Sequence, residues 1–139
     1  MTRFLGFMEV FLRACAVAFA FFVPPAHAYE LGFKVLHKFC ARPDCADGGS
    51  PQFGMIADPA GNLYGTAGDV VFKLAQDGTE KVLYTFQGGT DGRLPGALTA
   101  DAKGNLYGTT ELGGTVYNTG TVFRIAPDGT KTTLYTFCA

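Results

Sequence analysis

Few side chains in this sequence could do chemistry, and their spacing limits what that chemistry could be. Cys40 and Cys45, separated by Ala41-Arg42-Pro43-Asp44, have the spacing of a small disulfide loop formed in an oxidising compartment. A zinc site competes with that reading. It needs four soft ligands, and beyond the N-terminal leader His37 is the one histidine, so the count falls short unless another chain contributes. His37 could act as a base, but no Ser/His/Asp or Cys/His set accompanies it. Asp58 and Asp101 recur in matching turns and could ligate calcium. The Gly61-Asn62 and Gly104-Asn105 pairs beside them explain each aspartate more simply, as the cap of its own turn. Tyr64, Tyr84, Tyr107 and Tyr135 could form an aromatic ligand platform, although their strict recurrence reads as packing between repeats. No catalytic, cofactor-binding or metal-binding residue is assigned, and no cofactor is expected.

Charge and composition narrow the partner classes. The 139 residues carry 11 Lys and Arg against 12 Asp and Glu, a net charge of −1, which gives no basic face for nucleic acid. Nineteen Gly and no Trp argue against a helical bundle. The length supports one modest domain rather than two independent cores.

Residues 1–28 read as a signal peptide. Arg3 and Arg13 precede the apolar run Ala14 to Val23, which is too short to cross a ~30 Å hydrocarbon core. Pro24 and Pro25 break the run, and Ala26-His27-Ala28 places small residues where a signal peptidase reads. Cleavage after Ala28 starts the mature chain at Tyr29, with Met1 and Met8 both open as the start. The expected destination is secreted, periplasmic or at the cell surface, with no membrane insertion after cleavage. Cys15 leaves with the leader.

What positions the remaining residues is a repeat. Asp58 to Thr66 recurs as Asp101 to Thr109 at an offset of 43. Val71-Phe72-Lys73-Leu74, Asp77-Gly78-Thr79 and Leu83-Tyr84-Thr85-Phe86 recur at an offset of 51, as Val122 to Ile125, Asp128 to Thr130 and Leu134 to Phe137. An earlier echo of the last element is Leu36-His37-Lys38-Phe39. Between the two offsets lies an eight-residue insertion around Gly113 to Gly120. Each copy reads as four short strands: 55–57, 63–66, 70–74 and 81–86 in the first. Asp-Gly and Gly-Asn turns connect them. Val70-Val71-Phe72, apolar on both faces, implies a sheet covered on both sides. The expected fold is all-β: two four-stranded antiparallel blades of an incomplete, open β-propeller-like array. Residues 29–139 form the repeat region, with a leading outer strand at 34–39, blade one at about 53–86 and blade two at about 96–137. Cys138 follows Phe137 as Cys40 follows Phe39, yet no counterpart of Cys45 comes after it. The expectation is a fragment of a longer array, a truncated frame, or a subunit that closes by oligomerising.

At these residues the sequence resembles the Gloeo-Verruco (GloVer) tandem repeat of exported bacterial proteins. Gly61 to Thr66, Gly104 to Thr110, Gly113-Gly114, Gly120 to Phe123, Pro127 to Thr130 and Leu134 to Phe137 carry the likeness, over nearly all of 34–138. Copy one departs from it, with Thr66-Ala67-Gly68-Asp69-Val70 in place of the long Gly-rich loop. The Asp-x-x-Gly-Asn-Leu-Tyr element is more loosely similar to propellers of the NHL and gluconolactonase type. The first resemblance implies an exported repeat protein with no defined catalytic activity. The expected role is a binding or scaffold module toward an unknown protein or carbohydrate ligand, with self-association expected through the exposed apolar faces of the terminal blades. The insertion, with Gly113, Gly114, Tyr117 and Asn118, is the candidate partner-binding loop. The second resemblance raises an alternative, a metal-dependent sugar-lactone hydrolase or lyase, for which Asp101 and Asn105 are the candidates.

Overall fold

The computed structural model of the chain describes residues 34–115 and 117–138. The expected signal peptide, its cleavage point after Ala28, and Cys15 lie outside the described residues. No described helix is long and apolar enough to cross a membrane.

The chain is all-β. Its short runs of β-branched and aromatic residues fall between turn-forming Asp, Gly and Asn, and each becomes a strand. In order these are β1 (Ile56–Ala57), β2 (Leu63–Ala67), β3 (Val70–Leu74), β4 (Glu80–Thr85), β5 (Arg93–Pro95), β6 (Thr99–Ala100), β7 (Leu106–Leu112), β8 (Thr121–Ile125) and β9 (Lys131–Thr136). Sheet one has the order β1-β2-β3-β4; sheet two has β5-β7-β8-β9, with β6 also paired to β7. All pairings are antiparallel.

Two features differ from the sequence expectation. Sheet two gains β5, because the inserted segment lengthens β7 to seven residues where β2 has five. The added length of β7 pairs Leu112 with Arg93 and Thr110 with Pro95. Residues 34–39, expected as a strand, join no ladder.

Alternation along β3 explains the packing. Val70, Phe72 and Leu74 are buried on one face of sheet one, with Phe39, Leu63 and Val82 against them. Val71 is buried on the other face, in a cluster with Phe86, Leu98, Leu106, Phe123 and Ile125 that joins the two sheets. A bulge recurs in both. Val71 pairs with Tyr84 and Phe72 with Val82, leaving Leu83 unpaired; Val122 pairs with Tyr135 and Phe123 with Thr133, leaving Leu134 unpaired. The extra residue lets two consecutive side chains reach the same side, and Leu83 and Tyr84 do both pack on the inter-sheet cluster. Glycine is needed opposite each core phenylalanine. Gly108 pairs with Phe123, and a Cβ on it would lie 2.7 Å from the ring carbon Cζ.

Candidate functional site

The recurrent aspartates are engaged in their own turns. In copy one the Asp58 carbonyl accepts the Gly61 N–H at 2.9 Å, and Asp58 Oδ1 accepts the Asn62 N–H at 2.9 Å. Asp58 Oδ2 accepts Asn62 Nδ2 at 2.7 Å and the Tyr64 hydroxyl at 3.0 Å. Copy two repeats this set on Asp101, with Asn105 Nδ2 at 2.8 Å, the Tyr107 hydroxyl at 3.1 Å, and the Lys103 and Asn105 N–H groups both at 2.9 Å. Donors on both oxygens favour the charged form. The Asn105 amide above all holds the Asp101 pKa down to about 2, and Asn62 lowers that of Asp58 in the same way. Each carboxylate therefore caps a hairpin and positions a tyrosine. Asp101 and Asn105, the candidates for lactone chemistry, are partners of each other. Among the described residues no three His, Cys, Asp or Glu side chains converge on a point that would hold a metal.

The polar residues with the most connections lie at the junctions, and sequence reading passed over most of them. Where β4 leaves sheet one, the Tyr84 hydroxyl donates to Asp91 Oδ1 at 2.8 Å, and the Lys131 ammonium of β9 meets the same atom at 2.8 Å. Burial and then Asp91 push the Tyr84 pKa up to about 12, so the phenol remains a donor. Burial opposes the charge on Asp91, but Lys131, the Gln87 N–H and Tyr84 outweigh it and its pKa is lowered. The preceding junction has the same plan. Asp47 accepts the N–H groups of Ala41 at 3.0 Å and Arg42 at 3.3 Å, and His37 Nε2 stands 3.9 Å from it. Arg42 in turn pairs with buried Glu80 of β4 at 2.9 Å. A disulfide joins Cys40 to Cys45 within this loop, while Cys138 is free and exposed. His37 thus occupies the place of Tyr84, packed edge-on against Phe39 at 4.8 Å. The Asp-Gly pairs Asp47-Gly48 and Asp91-Gly92 were the available signal, but they do not fall inside the strands that define the repeat.

The insertion is anchored at its base. Gly113 N donates to Asn118 Oδ1 at 2.6 Å and Gly114 N to the Gly89 carbonyl at 2.9 Å. A Cβ on Gly113 would lie 2.5 Å from Gly92 Cα, so Gly113 serves close packing. Tyr117 at the tip is 73% exposed. A cleft of about 700 Å³ opens where the β2–β3 turn faces the 44–53 loop and the β5–β7 pair, within the size range of small-molecule sites. Its wall is braced by Asp69, which takes Arg93 at 2.9 Å and the Leu94 N–H at 2.9 Å. That clamp holds Leu94 at φ 53°, a left-handed conformation costly for a leucine. Asp44, Phe53 and Glu111 also line the cleft.

No family model matches the chain. No curated protein matches it either.

Proposed function

We propose that the chain is an exported repeat module of the open β-propeller type, related to the GloVer repeat, and that it binds or scaffolds a protein or carbohydrate ligand. One observation carries the reading. The polar groups that recur, Asp58, Asp101, Asp91 and their tyrosines, have their hydrogen bonds directed to turns and junctions, as suits a framework presenting a surface. The cleft beside Leu94 and the exposed Tyr117 are the surfaces offered. The Cys40–Cys45 disulfide suits export, with Tyr29 as the first mature residue.

The metal-dependent lactonase reading would need a carboxylate with a free oxygen, and Asp101 takes donors on both. Testing requires the protein purified from its native host. Mass spectrometry is expected to find Tyr29 at the N-terminus, and a glycan array to give saturable binding that Phe53→Ala or Tyr117→Ala removes. Stoichiometric divalent metal with turnover of sugar lactones would overturn the proposal.

A further inference from the structure

Three aromatic pairs share one geometry, one within residues 34–39 and one at the end of each of β4 and β9. His37 and Phe39 stand 4.8 Å apart at 76°, Tyr84 and Phe86 5.1 Å apart at 78°, and Tyr135 and Phe137 5.2 Å apart at 79°. Two of these pairs are seated. Phe39 meets Phe72 edge-on at 4.9 Å and 62°, and Phe86 meets Phe123 at 4.9 Å and 64°. Each receiving phenylalanine lies over a glycine, Gly65 or Gly108, that leaves room for its ring. Among the described residues the third pair meets no such ring. Phe86 is 3% exposed, whereas Phe137 is 40% exposed and its neighbours Leu134 and Tyr135 are 50% and 58% exposed.

The first seat is filled poorly by the chain's own segment. Residues 34–39 have no ladder to hold them. His37 Nε2 is buried with no hydrogen-bond partner, 3.9 Å from Asp47, where Tyr84 makes a 2.8 Å bond to the equivalent Asp91. A hollow of about 370 Å³ remains between Lys34, Leu36 and the β3–β4 turn.

We propose that the Leu134–Phe137 face of β9 docks on the Phe72 face of a second copy of this chain, replacing residues 34–39 there. This rests on the repeat reading above. Phe137 takes the seat of Phe39, and the Tyr135 hydroxyl donates to Asp47 as Tyr84 does to Asp91. Leu134, beside the bulge, fills the hollow. The contact is heterologous, tail of one copy to head of the next, so it propagates into chains or closes into rings. It also sets Cys138 where Cys40 stands, beside Cys45 of the second copy.

Sedimentation velocity over roughly 5 to 500 μM tests this, the range in which a small aromatic contact associates. The mature chain is expected to sediment faster as concentration rises. Tyr135→Ser/Phe137→Ser, exposed positions whose loss leaves the circular dichroism spectrum intact, is expected to abolish the rise. Phe39→Ala, which loosens the resident segment, is expected to strengthen association several-fold. Cys40→Ser oxidised with glutathione disulfide supplies the geometry: two thiols give up two protons and two electrons to the reagent, and the expected intermolecular bond is Cys138–Cys45. A folded monomer at every concentration, a Cys138–Cys138 bond, or weaker association in Phe39→Ala would each overturn the docking. None of these touches the binding-module reading, which fails instead on lactone turnover.

Discussion

Truncating the same phenylalanine at two repeat-equivalent positions should have unequal costs, and the structure fixes the ratio. Phe86 is buried between the sheets against Phe123, 3% exposed. A phenylalanine buries roughly 150–250 Å², and about 25 cal/mol per Å² over the ring beyond Cβ amounts to about 3 kcal/mol. The closed hole left behind adds about 1 kcal/mol, so Phe86→Ala should cost about 4 kcal/mol. Phe137 is 40% exposed on the open face of sheet two, and its removal leaves a dent that water fills. Phe137→Ala should cost about 1 kcal/mol. A domain of this size has roughly 5–10 kcal/mol in total, so the first variant approaches unfolding at room temperature and the second does not. Urea titration followed by far-ultraviolet circular dichroism and tyrosine emission, at low micromolar concentration, reads both. Costs within 1 kcal/mol of each other would mean that the sheets do not share the core assigned to them.

Three further outcomes are expected. Gly108→Ala, whose Cβ would lie 2.7 Å from Phe123 Cζ, should lose about 1–3 kcal/mol in the same titration; Gly54→Ala, with nothing within 4 Å, should be neutral. Asp91→Ala leaves the Lys131 ammonium without its carboxylate and should cost about 2–3 kcal/mol, part of which Lys131→Met restores in a double-mutant cycle. Stability should fall in acid: the pKa of Asp101 is held down to about 2 and those of Asp58 and Asp91 are lowered. Their contribution is present above the unfolded carboxyl value of roughly 3.9 and is lost as pH falls toward the folded values. Thermal melts between pH 2 and 6 should show that slope, and Asp101→Asn should flatten it.

Much of the architecture was legible because hydrophobic alternation and turn chemistry are local. Val70-Val71-Phe72 announced a sheet covered on both faces, and Asp58 with Gly61 and Asn62 announced the cap that the hydrogen bonds display. The disulfide followed from a short spacing. What escaped depends on contacts between distant segments. Strand β5 exists because an insertion lengthened β7, and Pro95 and Leu94 gave no strand signal of their own. Asp69 gained its role from Arg93, 24 residues away, and Lys131 from Asp91, 40 residues away. Such pairings are set by how sheets stack, which no window of sequence contains.

The two junctions carry opposite electrical polarity at matched places. Glu80 and Lys131 begin their respective β4 and β9 strands at the same repeat position; one answers the cation of Arg42 and the other the anion of Asp91. Exchanging the order of the copies would bring Asp91 against Glu80 and Arg42 against Lys131, like facing like. The loops at these seams are therefore keyed: Arg42 and Asp91 could not trade places, and the match of each loop to its own sheet is written in charge as well as in covalent order.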